Sequence, residues 1–263
     1  MFEIVRYEGE RRLKGSVALA VGLGALAAFF VGFFPSFSDV DLDSYVEGFP
    51  PAFREAFGIE SIATIEGFLA VEVYQFVWLL LLGLYVAYSA ARVVAADVET
   101  DRMDLLLSLP VSRARLVREK FLALFVPIVA LNVVVPVIVY AAVIAIGEPI
   151  DPVDLLAVHL LSVPYLLACA AIGLVLSVLV DRADVASRLA IAGVFALFLI
   201  ESITANAEGY EWVGAVSPTH YYDPTEILVQ GTYDLTGAAV LLAATVVLVV
   251  VARVLFARAD VGA

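Results

Sequence analysis

Residues 16–34, SVALAVGLGALAAFFVGFF, form an uncharged run that decides the fold class. A helix rises about 1.5 Å per residue, so a run of this length nearly spans the roughly 30 Å hydrocarbon core of a bilayer. Of the chain's 263 residues 63% are hydrophobic and 16% are charged, too few polar residues to cover a soluble core. The sequence therefore predicts an all-α membrane protein with six spanning helices, at about 16–34, 69–91, 121–146, 153–180, 189–205 and 236–257.

The charged residues divide unevenly between the two sides that these spans define. Fourteen of the 15 Lys and Arg residues fall on one side, and Arg54 lies on the other. Cytoplasmic loops carry an excess of Lys and Arg, so we expect a plasma-membrane protein with both termini in the cytoplasm. The outer side holds 17 of the 28 acidic residues, which favours adaptation to high salt over an ordinary acidic exterior.

The chain is interpreted as one membrane domain over residues 1–263. Its first fifteen residues mix apolar and charged positions, which favours a short helix along the inner surface over a frayed tail. No small-residue cleavage site follows the first apolar run, so we expect an uncleaved first helix. On the outer side FPPAFREAFG (49–58) predicts an interfacial helix, and the aromatic-rich segment Asn206–Leu235 is compatible with a re-entrant hairpin or a plain surface loop.

Sequence signatures of catalysis and nucleotide binding do not occur in this chain. It has no GxxxxGK[ST], HExxH or GxSxG motif. His159 and His220 have no Cys or carboxylate at metal-ligand spacing, and His159 is interpreted as a hydrogen-bonded helix residue. We therefore expect no catalysis, cofactor or metal in this chain. An intramembrane enzyme would need a catalytic pair that the sequence does not show.

Glu72, Gln75 and Glu201 are polar residues toward the outer ends of the second and fifth apolar runs. A carboxylate inside a bilayer is costly unless it is paired, protonated or hydrated. These residues therefore either face a polar cavity on the translocation route or mark where the lipid ends. The boundary interpretation is favoured for Glu72, and both stay open for Glu201. An ion-coupled secondary transporter using Glu72 or Glu201 is the alternative function.

The inner segment 96–121, ADVETDRMDLLLSLPVSRARLVREKF, is dense in charge. At helical spacing its acids share one face, and Pro110 ends the helix because its ring removes a donor. The opposite face is apolar and contains Met103, Leu106 and Leu107. Such an amphipathic element fits an apolar cleft on a soluble partner.

Two side chains in this segment are candidate helix caps, Asp101 for the short helix and Ser112 for the one that follows. A partner is one explanation of the segment, and a topology signal or a helix lying on lipid are the others. The acids at 97–104 argue against docking to an anionic lipid surface.

The same segment resembles the cytoplasmic signature of the ABC-2 type permeases. In that signature an acidic pair, a short Leu-rich helix and a PVSR turn precede a Lys at the start of the third span. Here Asp97 and Glu99 match the acidic pair, and Lys120 matches the Lys. By the same resemblance Met103 to Leu107 would be the cytoplasmic coupling helix between the second and third spans, and Pro110 to Arg113 the turn. FPPAFREAFG and AVSPTHYYDPTEILVQG (215–231) resemble the family's outer segments more loosely. The chain departs from the family where Asp101-Arg102 replaces a common Gly-Thr and Asp97 replaces a Glu.

This resemblance implies the permease subunit of an ATP-driven exporter, framing its route with a second permease chain, identical or related. ATP and Mg would belong to a separate ATP-binding subunit that docks on residues about 97–110. No nucleic acid is expected as a partner, and the sequence does not name the transported substrate. The docking residues implied are Asp97, Glu99, Asp101, Arg102, Met103, Leu106, Leu107, Pro110 and Arg113.

Overall fold

The structure, a computed structural model, describes residues 3–38, 48, 64–108, 110–205, 207 and 209–258. Every regular element in these ranges is a helix. Shorter helical turns cover Pro35–Ser38, Glu211–Gly214 and Pro218–Tyr221. The ten main helices are α1 (Glu3–Phe33), α2 (Ile65–Ala91), α3 (Ala95–Glu99), α4 (Arg102–Leu107), α5 (Arg113–Leu122), α6 (Phe125–Ile146), α7 (Pro152–Leu179), α8 (Ala183–Thr204), α9 (Pro224–Gln230) and α10 (Leu235–Arg258).

Six helical stretches are long and apolar enough to cross a membrane, which confirms the predicted class. They are α1, α2, the pair α5 and α6, α7, α8 and α10. We call the end of the bundle that holds α3, α4 and the start of α5 the basic end, and the opposite end the acidic end. The interfacial helix predicted at 49–58 lies outside the described residues.

The first span begins earlier than the sequence predicts. α1 is one continuous helix from Glu3, so the separate surface helix expected over the first fifteen residues is wrong. Glu8 and Gly9 are buried, and a Cβ built at Gly9 would lie 3.1 Å from Val126 of α6. Packing against α5 and α6 therefore extends the helix through charged residues that hydropathy assigns to water.

The central helix of the bundle is α7, which packs against α2, α8, α10 and α6. Its closest approach is to α2, where a Cβ built at Gly173 would overlap the backbone carbonyl oxygen of Ala87. Small residues at such crossings let helix backbones pack closely inside a membrane. Gly173 therefore sets the distance between α7 and α2.

Part of α2 is wound more widely than an α-helix. Leu69–Leu82 is a π-helix, a form rare in proteins and frequent at functional sites. Tyr165 of α7 donates its hydroxyl to the carbonyl of Leu79 at 2.8 Å. Gly83 makes room for this contact, because a Cβ there would lie 2.5 Å from the hydroxyl oxygen.

The third span is divided between α5 and α6 by a break at Ala123 and Leu124. Pro127 accounts for the break, because a proline clashes with the carbonyl four residues earlier, here that of Ala123. Pro136 and Pro164 lie inside α6 and α7 without ending either helix.

Much of the segment from Asn206 to Leu235 packs into the bundle at the acidic end. Ser217, Tyr222 and Leu228 are buried, and Tyr222 donates its hydroxyl to the carbonyl of Val158 at 2.9 Å. α9 contacts α2 and α7. Of the two interpretations left open by the sequence, a plain surface loop is therefore wrong for residues 217–228, although Trp212 remains exposed.

Candidate functional site

The charged segment at the basic end forms α3 and α4, and α7 holds its start. The Ser177 hydroxyl of α7 accepts hydrogen bonds from the amides of Val94 and Ala95, at 2.9 and 3.0 Å. The first amides of a helix have no partner within the helix itself. A side chain from a spanning helix therefore caps α3 in place of a local residue.

Glu99, one of the predicted docking residues, connects α3 to α8. Its carboxylate accepts a hydrogen bond from the Ala183 amide at 3.0 Å, at the first residue of α8. A carboxylate at a helix start is also favoured by the helix dipole. The structure thus gives Glu99 a contact within this chain.

Asp101 lies between α3 and α4 and does not cap α4 as predicted. Its φ is 55°, in the left-handed region, and its side chain makes no hydrogen bond to the first turn of α4. A capping residue normally has extended backbone, which aims its side chain at the free amides. The left-handed turn uses Asp101 to redirect the chain, a position that suits Gly or Asp.

A group of charges with a buried centre joins α1, α3, α4 and α5. Lys120 is 3% exposed, makes a short ion pair with Asp97, and lies 3.6 Å from Glu8. Arg102 Nη1 lies 3.4 Å from Asp97, and Arg12 Nε lies 3.9 Å from Glu8. We call these five residues the charge cluster. Buried charges are retained in proteins when they are paired, as they are here.

A second buried acid, Glu119, fixes the start of α1. One carboxylate oxygen pairs with Arg115 at 2.5 Å, and the other accepts the Ile4 amide at 3.2 Å. Glu119 therefore performs for α1 the capping function that Glu99 performs for α8. Neighbouring residues 119 and 120 thus both hold the N-terminal part of α1, through different contacts.

The docking prediction assumed that the apolar face of α4 points away from the chain. In the structure this face is turned toward the chain's own core. Met103 is 1% exposed, and Leu106 and Leu107 pack partly against the core. Leu105 is the exposed apolar residue, with 71% of its surface accessible, and Asp104 beside it is exposed. The apolar face of α4 therefore packs against this chain's own core, and the face that contains Asp104 and Leu105 is the one left free.

The turn after α4 leads into α5 as the sequence predicts. Ser112 accepts a hydrogen bond from the Arg115 amide at 3.3 Å and caps α5. Pro110 is exposed, and the guanidinium of Arg113 lies 5.9 Å from the centre of the Phe256 ring on α10. Arg113 therefore contacts the last spanning helix.

A cavity of about 150 Å³ at the acidic end brings together two of the three predicted route residues. Gln75 and Glu201 both line it, whereas Glu72 does not. Glu201 Oε1 lies 3.0 Å from Nδ1 of His220, while its buried Oε2 has no hydrogen-bond partner among the described residues. Glu201 therefore faces a polar cavity, and Glu72 is half-buried apart from it.

Several carboxylates lie close together elsewhere at the acidic end. The Asp154 carboxylate accepts a hydrogen bond from Tyr233 at 2.5 Å, and this bond raises the pKa of the exposed Tyr233. Burial raises the pKa of Glu226, and the charges of Asp223 and Asp234 raise it further. These carboxylates repel one another, in keeping with the acid count on this side.

His159 is a buried structural residue. Its Nε2 lies 3.0 Å from the Tyr74 hydroxyl, and its ring meets Trp78 edge-on with centroids 4.7 Å apart. Within the described ranges no three His, Cys, Asp or Glu side chains are placed to hold a metal ion.

Sequence reasoning missed Ser177, Glu8 and Glu119. Glu8 and Glu119 lie in charged stretches, where their burial gives no local signal. Ser177 is one polar residue in an apolar run, and its partners lie 82 and 83 positions away.

The sequence matches a known family of membrane transporters over most of its length. A family model described as an ABC-2 family transporter protein matches residues 13–261. The match covers all six spanning stretches except the N-terminal turns of α1. A comparison with curated proteins found no match.

Proposed function

Because the chain belongs to the ABC-2 family of transporters, we propose that it is the permease subunit of an ATP-driven exporter. Six apolar helices make it a multi-pass membrane protein. In this proposal the basic end faces the cytoplasm, with both termini, in the plasma membrane. A separate subunit binds ATP and Mg and supplies the hydrolysis. A second permease chain, identical or related, completes the route.

One observation carries the proposal: α3 and α4 are connected to the ends of four other helices by polar contacts. Ser177 connects α3 to α7, and Glu99 connects it to α8. Asp97 of α3 pairs with Lys120 of α5, and Lys120 in turn pairs with Glu8 of α1. A force applied to α3 and α4 from outside the bundle therefore reaches the spanning helices through short polar contacts. This is the mechanical requirement for closure of two ATP-binding subunits to change access to the route.

The docking surface we propose is the exposed face of α3 and α4 rather than the buried one. Leu105 supplies its apolar contact, and Asp101 and Asp104 supply charge beside it. Interfaces commonly combine a desolvated apolar anchor with charges that set register. Asp97 and Met103 lie beneath this surface and Glu99 and Arg102 lie beside it, where they hold α3 and α4 in place.

The cavity at the acidic end is the part of the route that we propose for this chain. Gln75 and Glu201 line it, and His220 pairs with Glu201. Its polar lining suits a hydrated pathway, since a carboxylate is costly in contact with lipid. Glu72 is left as a residue at the boundary of the lipid.

The test is co-purification of the chain with a co-expressed candidate ATP-binding subunit. Leu105→Asp should weaken the complex by about 30-fold or more, because truncating or charging an interface anchor costs roughly 2 kcal/mol. Asp104→Lys should weaken it as well. Glu10→Lys is the matched control, since Glu10 is an exposed acid at the same end, on α1.

Binding like that of the unmodified chain in both α4 variants would refute the docking surface. Reconstituted vesicles test the wider proposal. Uphill transport by this polypeptide alone, driven by an ion gradient, would support the ion-coupled alternative and refute the ATP-driven one.

A further inference from the structure

The basic end contains a cavity of about 330 Å³, lined by neither the exposed docking residues Asp101, Asp104 and Leu105 nor the route residues. It opens between α1, the last turns of α2, and the charge cluster. Among the described residues, five cationic side chains and two carboxylates line it, so positive charge exceeds negative charge by three. This excess stands out in a chain whose net charge is −13. The cations are Arg11, Arg12, Arg92, Arg102 and Lys120.

The two carboxylates do not neutralise this cavity. Both Asp97 and Glu8 pair with Lys120. In the part of the chain that the structure describes, neither Arg11 nor Arg92 makes an ion pair. Arg12 donates to the Ser89 hydroxyl at 3.3 Å, and its buried Nε atom, 3.9 Å from Glu8, has no hydrogen-bond partner among the described residues. A buried guanidinium nitrogen without an acceptor favours an anionic ligand.

The residues that line the cavity are of the types found where a membrane's headgroups begin. Arg11 and Arg12 come just before the uncharged run of α1, and two partly exposed tyrosines, Tyr85 and Tyr88, lie in the last turns of α2. Tyrosine concentrates at membrane interfaces because its ring is apolar and its hydroxyl is polar. The guanidinium of Arg92 lies 5.6 Å from the centre of the Tyr88 ring, which holds it over this opening.

We propose that this cavity binds the phosphate headgroup of an anionic phospholipid from the leaflet at the basic end. Basic pockets between spanning helices bind such headgroups, and Arg matches phosphate through paired hydrogen bonds. The volume fits the range of roughly 300–1,000 Å³ for small-molecule sites. Of the acids at 97–104 that disfavour a lipid surface, Glu99, Asp101 and Asp104 do not line this cavity. Asp97 does line it, and its charge is paired with Lys120. A bound headgroup would contact α1, α2 and the charge cluster together.

The experiment is native mass spectrometry of the delipidated full-length chain, titrated with phosphatidylglycerol or with phosphatidylcholine of the same acyl chains. We expect clear preference for phosphatidylglycerol. Arg12→Gln with Arg92→Gln should weaken that binding about 25-fold, from roughly fivefold per basic residue. The charge-matched control is Arg182→Gln with Arg188→Gln, which removes two exposed cations near the same end and should preserve binding.

Further variants separate charge from fold and lipid from other anions. Arg12→Lys with Arg92→Lys should retain most of the preference, and Arg92→Gln alone should lose about fivefold if the double variant does not fold. Equal affinity for the two lipids, or an equal loss in the control, would overturn the proposal. Full displacement of the lipid by millimolar inorganic phosphate would also overturn it. So would a Gln variant that binds the lipid normally and instead fails to bind the ATP-binding subunit.

Discussion

Replacing Lys120 by Met tests whether the charge cluster holds the basic end together. Lys120 is buried and contacts Asp97 and Glu8 from a single ammonium group. Methionine keeps the length of the side chain and removes the charge, so both carboxylates lose their closest cation. Removing one partner of a buried ion pair costs about 3–5 kcal/mol, because the other partner stays buried without compensation.

The neighbouring cations place the expected loss at the lower end of that range. Arg102 remains 3.4 Å from Asp97, and Arg12 remains 3.9 Å from Glu8. We therefore expect Lys120→Met to lower the free energy of unfolding by about 3 kcal/mol. Adding Asp97→Asn should recover about 1–2 kcal/mol of this loss, because the double variant no longer buries that unpaired carboxylate.

Unfolding of the purified chain by SDS in mixed micelles, followed by circular dichroism, measures these differences. Arg188→Met is the matched control, since the Arg188 side chain is 82% exposed and its pair with Asp184 spans 3.9 Å. Its unfolding midpoint should not move, because exposed pairs contribute little. A loss below about 1 kcal/mol for Lys120→Met, or additive effects of the two substitutions, would contradict the role given to the cluster.

Two further substitutions test packing and capping. Gly173→Ala should lower the free energy of unfolding by about 2 kcal/mol, because its Cβ would overlap the Ala87 carbonyl. Gly193→Ala, with open space around it, should be neutral or stabilising. Equal effects of the two substitutions in the same SDS titration would disprove the close crossing of α7 and α2. Ser177→Ala should cost about 2 kcal/mol and speed hydrogen exchange at the first amides of α3. Ser187→Ala should leave that exchange unchanged, because the Ser187 hydroxyl donates to the Ala183 carbonyl within α8. Unchanged exchange in the Ser177 variant would show that the serine does not cap α3.

The spanning helices could be predicted because lipid imposes a simple requirement on composition and length. The start of α1 could not, because its charged residues are buried by partners far along the chain. Glu8 meets Lys120, and Ile4 meets Glu119. Hydropathy evaluates each residue in its own window, so it assigns such residues to water.

The docking face shows a different limit of sequence reasoning. An amphipathic pattern predicts that one side of α4 is buried, but it does not say against what. Met103 packs into this chain's own core, and Leu105, which the pattern places off that face, remains exposed. Local periodicity therefore predicts that α4 is a helix with one apolar and one charged face. Only the tertiary structure shows which face packs inward and which is free.

Side chains from elsewhere in the chain close the first turns of α1, α3 and α8. None of these helices can loosen at its start without breaking a contact in another helix. We therefore expect the basic end to open as one cooperative unit, with no separate fraying of its helices. We also expect these positions to covary in related sequences. A replacement at Glu99, Glu119 or Ser177 would be tolerated only alongside a compensating change at a distant position.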